Sequence, residues 1–257
     1  NNEMKCWGKA ENGSLGNGDD SQNQYTPVGV NELNSNTCCF SDIEETSPDG
    51  DHSCALSDGS VYCWGLDTAG QIGHGHLSCV GNGYCVNPHG PSVLNRNIVT
   101  FTTGLRHTCA IADDSTAWCW GENDFGQLGV GDNDDRNAPT QVLLPAGATP
   151  TSINAGGHTT CVILNNGTGL CWGKSDYGHL GDGTYNNRNE PTPISILPSN
   201  RSLVAMDLGA GHACGILDDG TAYCWGNGTF SSGESGGRLG DGSNESSRFP
   251  RSVSLPS

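Results

Sequence analysis

Short apolar runs on either side of a small polar turn recur along this chain. In the first, Ala55-Leu56-Ser57 and Ser60-Val61-Tyr62 flank Asp58-Gly59. β-prone residues around Asp-Gly predict two antiparallel strands joined by a two-residue turn. Three further hairpins are predicted around Asp113-Asp114-Ser115, Asn165-Asn166-Gly167 and Asp218-Asp219-Gly220. Each is one residue wider, which suits a three-residue loop ending in a left-handed residue. Gly167 and Gly220 suit that position because they carry no Cβ, and Ser115 does not.

A pair of cysteines brackets each hairpin, and the turn lengths place its members opposite each other on neighbouring strands. Cα atoms in such positions lie roughly 4.5 to 5.5 Å apart, within disulfide range. The expected bridges are Cys54–Cys63, Cys109–Cys119, Cys161–Cys171 and Cys214–Cys224.

The second cysteine of each pair opens a tripeptide, Cys-Trp-Gly, found at Cys6, Cys63, Cys119, Cys171 and Cys224, with steps of 57, 56, 52 and 53 residues. A period that regular marks a repeat array. Every copy is followed by a Gly-x-x-Gly-x-Gly run, starting at Gly13, Gly70, Gly126, Gly178 and Gly237, and then by Pro27, Pro91, Pro139, Pro191 or Pro250. Four copies are preceded by a histidine and a cysteine: His52/Cys54, His107/Cys109, His158/Cys161 and His212/Cys214.

This unit resembles the repeat of the regulator of chromosome condensation family, in the cysteine-bearing form found in secreted and cell-surface proteins, and the resemblance covers practically the whole chain. It implies an all-β fold, a β-propeller whose blades are four-stranded antiparallel sheets, with about five blades visible of seven. The units read as 1–53, 54–108, 109–160, 161–213 and 214–257. At roughly 53 residues per unit, seven blades need roughly 370 residues, so the 257 present read as a stretch of a longer protein. A closed five-bladed ring is the alternative.

The chain holds 13 cysteines, eight of them in the hairpins. Cys79 and Cys85 are expected to clip the insertion between His76 and His89, and Cys38–Cys39 is a candidate vicinal bridge. Cys6 is then left over. Its partner lies in a strand outside this chain, or is Cys38 or Cys39. Disulfides at this density persist in oxidising compartments, which points to an extracellular or cell-surface protein. Zinc is weighed against by the cross-hairpin placement of the cysteines, since zinc sites favour Cys-x-x-Cys spacing.

Recurrence also sets the reading of the aromatic and imidazole groups. Trp7, Trp64, Trp120, Trp172 and Trp225 occupy one position in every unit, as elements packing blade against blade do. The four histidines are expected to satisfy backbone groups with a ring nitrogen. Trp118 stands where other units carry Tyr62, Leu170 or Tyr223, and is the better candidate for a surface contact.

With 11 Lys and Arg against 28 Asp and Glu, the net charge is −17. Such a surface repels phosphate backbones, so no nucleic-acid partner is expected. No membrane-spanning run is present. Residues 131–136 and 181–184 hold the clustered oxygens that calcium takes, but neither matches a twelve-residue calcium loop, and a solvated turn is the preferred reading. No other cofactor is implied. Sequons at Asn12, Asn166, Asn200, Asn227 and Asn244 are candidates for N-linked glycans in a eukaryotic source. Nothing converges on catalysis: there is no nucleophile elbow, no phosphate-binding loop opening a helix and no His-Glu-x-x-His helix. The expected function is non-enzymatic, as a structural building block of a cell-surface appendage, fibre or matrix, whose partners are other proteins or copies of itself. The alternative is a recognition module that binds a protein or glycan.

Overall fold

The computed structural model describes residues 4–9, 11–18, 22–30, 43–75, 84–89, 96–195, 197–198, 200–229 and 237–254. Cys38, Cys39, Cys79 and Pro91 lie outside the described residues. Among those described, one short 3-10 turn at Glu11–Gly13 accompanies eighteen strands in five antiparallel sheets. The first sheet has two strands, β1 (Lys5–Gly8) and β2 (Gln24–Gly29).

The other four sheets are four-stranded meanders, each pairing its strands in chain order. They comprise β3 (Ile43–Asp49), β4 (His52–Ser57), β5 (Ser60–Leu66) and β6 (Tyr84–His89); then β7 (Ile98–Thr103), β8 (His107–Ala112), β9 (Ala117–Gly121) and β10 (Arg136–Gln141). Next come β11 (Pro150–Gly156), β12 (Thr159–Leu164), β13 (Gly169–Gly173) and β14 (Arg188–Pro193), and last β15 (Leu203–Leu208), β16 (His212–Leu217), β17 (Ala222–Gly226) and β18 (Ser247–Ser252). The expected blades are thus four complete sheets and two strands of another. The unit boundary at 108/109 falls within β8, so a sequence unit straddles two sheets.

The chain forms two compact units, one of Asn1–Asn123 with Asp134–Gln141, the other of Asp124–Asn133 with Val142–Ser257. In the first, Leu56, Val61, Ile72, Ile98, Phe101 and Trp120 build the core. In the second it is built by Ile163, Leu180, Leu203, Met206, Leu217 and Trp225. Strands β8 and β12 are buried at every residue, so His107-Thr-Cys-Ala-Ile-Ala and Thr159-Thr-Cys-Val-Ile-Leu carry no alternation of apolar and polar positions. Strands covered on both faces read this way.

The second and third strands of each full sheet form the predicted hairpins, and their cysteines are register partners. The bridges Cys54–Cys63, Cys109–Cys119, Cys161–Cys171 and Cys214–Cys224 all have Cα atoms 4.1 Å apart, closer than the spacing expected from sequence. Asp58 and Gly59 both have positive φ, 50° and 67°, as a two-residue hairpin turn of this kind requires.

Ser115 departs from expectation. It takes the left-handed conformation, φ 64°, as Gly167 and Gly220 do at 77° and 84°. Its loop is held by the Asp114 carboxylate, which accepts the Thr116 N–H at 3.1 Å and the Thr116 hydroxyl, and by Arg96, which binds the same carboxylate. These bonds impose on serine a geometry better suited to glycine. The repeated proline sits in the last strand of its sheet at Pro27, Pro139, Pro191 and Pro250. In the full sheets that strand is an edge, where a missing N–H costs no ladder bond.

Candidate interaction surface

Most of the repeated motif is spent on locking one repeat to the next. Trp64, Trp120, Trp172 and Trp225 are fully buried. Each indole Nε1–H donates to a carbonyl in the glycine run of the preceding repeat: Ser14 at 3.0 Å, Gln71 at 3.0 Å, Gln127 at 2.9 Å and His179 at 2.8 Å. The ring lies so close to Gly16, Gly73, Gly129 and Gly181 that a Cβ there would come within 2.4 to 2.8 Å of Nε1. Those glycines also have φ between 63° and 79°. Neither the space nor the backbone admits another residue.

Trp7 is the exception and corrects the expectation for the five tryptophans. It is 64% exposed, where the other four are fully buried.

Histidine enters the same locks by a route not anticipated. His52 Nε2 lies 2.8 Å from the Thr108 hydroxyl, which itself donates to the Gln71 carbonyl at 3.0 Å. The threonine proton is therefore committed, and His52 must be the Nε2–H donor. Its partner is a side chain, where sequence suggested backbone. Nδ1 is buried without a partner, and burial lowers the pKa to about 3, so the ring is neutral.

Side chains of the acidic loops bond to nearby backbone and side chains. Asp182 accepts the Thr184 N–H and hydroxyl, both at 2.8 Å, and the Arg188 Nε–H at 2.9 Å. Asp135 accepts the Asn123 N–H at 2.7 Å, and Asn133 donates to the Asp124 carbonyl at 2.9 Å. Among the described residues one cluster, Asp67, His74 and Cys85, has donor atoms within 4.8 Å of one another. Cys85 is disulfide-bonded, with its partner outside the described residues. Its sulfur is therefore no thiolate, and two donors are too few for a closed zinc site.

Of the sequons, Asn166, Asn200 and Asn244 are exposed, and Asn12 and Asn227 half-buried. The Asn166 side chain is turned back onto the Thr168 N–H at 3.0 Å, and that of Asn227 onto the Thr229 N–H at 2.9 Å. Trp118 is half-buried beneath Arg96, whose guanidinium carbon stands 5.0 Å from the ring centroid.

The remaining feature is a surface group in the second unit. Tyr177 and Tyr185, 48% and 51% exposed, lie on the loop between β13 and β14. Arg248, exposed on β18, lies over Tyr185 at 5.3 Å and over Phe249 at 5.4 Å. The backbone of Arg248 abuts Gly178, next to Tyr177. Tyrosine and arginine held on a rigid frame are residue types enriched at protein interfaces. Most members of this group follow no repeat pattern, because they differ from unit to unit. The visible signal was the position before the glycine run, aromatic at Phe125 and Tyr177 and small at Ala69.

Comparison with known proteins agrees with this architecture. Profiles of the regulator of chromosome condensation (RCC1) repeat match residues 58–111, 114–163 and 166–216, and also 98–127 and 203–232. The human E3 ubiquitin-protein ligase HERC2 is 28% identical over 253 residues, spanning 98% of this chain but 5% of that protein. The ultraviolet-B receptor UVR8 of Arabidopsis thaliana is 26% identical over 253 residues, and the chain spans 53% of it. Prp20p of Saccharomyces cerevisiae superposes with a TM-score of 0.75 at 23% identity, covering 91% of this chain and 54% of that one, and so shares the propeller fold. By its repeats, its four-stranded blades and these matches, the chain belongs to the regulator of chromosome condensation (RCC1) repeat family.

Proposed function

We propose that this chain is a non-enzymatic protein-recognition module, stapled by disulfides for an oxidising compartment at the cell surface or outside the cell. The observation that carries the reading is the group of exposed Tyr177, Tyr185 and Arg248 with half-buried Phe249, presented on sheets whose recurrent residues are consumed by packing. The disulfides support the compartment. The net charge of −17 argues against a nucleic-acid partner. Catalytic names among the relatives are not carried over, since the chain matches only 5% of the ligase HERC2. No cofactor is invoked, and N-linked glycans at the exposed sequons Asn166, Asn200 and Asn244 are part of the proposal for a eukaryotic source.

The test is a photo-crosslinking amino acid at Tyr185 on the native surface. A discrete heterologous protein adduct that is lost with Arg248→Ala supports recognition. Absence of any adduct overturns it. Adducts only between copies of the chain favour a second reading, a structural building block of an appendage, fibre or matrix. The exposed Trp7 and Tyr25, 64% and 91% accessible on the two-stranded sheet, lend that reading its support.

A further inference from the structure

Three side chains that depart from the repeat meet beside β5 and β6. Asp67 stands three residues before its glycine run, where the next two repeats carry Asn123 and Ser175. His74 lies between Gly73 and Gly75, where the other runs carry Asn17, Val130, Asp182 or Asp241. Cys85 pairs with Gly65 across the ladder, in the place taken by Arg136, Arg188 and Ser247 in the other full sheets. Packing of the repeat therefore asks for none of the three, yet their ligand atoms all lie within 4.8 Å of one another.

Their surroundings fix them in place. Asp67 Oδ1 accepts the Ile72 N–H at 3.0 Å, and Oδ2 faces His74 Nδ1 at 3.6 Å. Next to His74, the Gly75 N–H donates to the Asn137 carbonyl at 2.8 Å and ties the run to β10. The Asp67 side chain and Cys85 are fully buried, and the His74 side chain is 12% exposed. A separation of 3.6 Å is long for a hydrogen bond. It suits the edge of a tetrahedron around zinc, about 3.3 to 3.6 Å for the metal's usual bond lengths.

We propose that Asp67, His74 and Cys85 form a zinc site gated by the Cys85 disulfide. Oxidised, the cluster offers one oxygen and one nitrogen, too few donors to retain the metal. Reduced, it adds a thiolate and becomes a three-ligand site whose fourth position is left to water. The inference goes beyond the recognition surface and does not depend on it.

The gate opens by exchange with a dithiol. One of its thiolates attacks the disulfide that Cys85 makes, expected from the sequence to be with Cys79, giving a mixed disulfide and releasing one protein sulfur. The second dithiol sulfur attacks the mixed disulfide, releases the other protein sulfur and closes the reagent into a cyclic disulfide. Two electrons pass from the dithiol to the protein. Of the two protons the dithiol gives up, one goes to the partner sulfur, and the other is released to solvent as Zn²⁺ takes the Cys85 thiolate.

The probe is Co²⁺, whose thiolate charge-transfer and tetrahedral d–d bands report sulfur ligation, with Zn²⁺ as competitor. Cys79→Ser leaves Cys85 a thiol without added reductant, so the hairpin bridges stay closed. That variant should show both bands and lose them to Zn²⁺, whereas the oxidised parent should show neither. Adding Asp67→Asn or His74→Ala should weaken binding at least about 100-fold, more than a change outside the coordination sphere costs. In the parent protein treated with dithiothreitol and then freed of it, Zn²⁺ should slow alkylation of Cys85, mapped by peptide, at least about tenfold and leave that of Cys6 unchanged. Bands in the oxidised parent, bands that persist in Cys79→Ser/Cys85→Ser, undiminished binding without Asp67 or His74, or a Cys79→Ser variant with no free thiol at Cys85 would each overturn the proposal.

Discussion

His52 donates its Nε2–H to the hydroxyl of Thr108, 2.8 Å away and 56 residues further along the chain. That hydroxyl in turn shares the Gln71 carbonyl with the indole of Trp120. One carbonyl in a glycine run thus gathers two donors from the next sheet, and one of those donors carries the histidine of the sheet before it.

This chain of bonds predicts a pH dependence. The folded-state pKa of His52, about 3, lies below the ordinary histidine value near 6.5. As pH falls the unfolded chain takes up the proton first. The stability linked to His52 is therefore complete above pH 6.5 and is lost between 6.5 and about 3, by on the order of 5 kcal/mol. Burial lowers the pKa of His179 and His212 as well, so the check is a difference. Denaturant midpoints measured against pH should fall less steeply for His52→Gln than for the parent protein, and parallel curves would contradict the assignment.

Thr108→Val should cost about 1 to 3 kcal/mol at neutral pH, because it strands the buried His52 donor. Thr108→Ser keeps the hydroxyl and should recover most of the loss. Equilibrium unfolding in guanidinium separates the two variants.

Gly73→Ala would push a Cβ to 2.4 Å from the Trp120 Nε1 at φ 79°. Steric overlap and the left-handed backbone together should destabilise by about 3 kcal/mol. Gly147→Ala is the control: φ is similar, 77°, but nothing lies within 4 Å. It should cost about 1 kcal/mol, and near-equal losses for the two would mean that the Trp120 contact contributes little.

Ser115→Gly should stabilise the protein by about 1 kcal/mol by relieving the left-handed serine. A rise in thermal midpoint checks it, and no change would mean that the Asp114 bonds already compensate the strain.

Replacing Cys161 and Cys171 together by alanine should cost roughly 2 to 3 kcal/mol for a loop of this size. Reduction of all the hairpin bridges should then lower the thermal midpoint much further than this double variant does.

The hairpins were legible because turn chemistry is local: Asp58-Gly59 and the cysteine spacing determine which residues face each other. The period showed that Cys-Trp-Gly and the glycine run recur, but a period cannot say which copies touch. That Trp120 closes on Gly73 of the preceding repeat is a tertiary fact. For the same reason Trp7 is indistinguishable from its four counterparts in sequence, although it is 64% exposed where they are buried. The His52–Thr108 bond was hidden because its acceptor position, threonine at Thr108 and Thr160, is Ser53 and Ala213 in the other two full sheets. The Tyr177–Arg248 group had no repeat to announce it.

The bridges tie the second strand of each full sheet to the third, at separations of 9 or 10 residues. Pulled from its two ends, such a sheet can shed its outer strands, but the stapled hairpin transmits force through sulfur and keeps its turn slack. At about 3.3 to 3.6 Å per extended residue, roughly 30 Å of contour per sheet stays hidden from tension. Only a reductant releases that length, so the extension of this chain under load is set by thiol chemistry as well as by force.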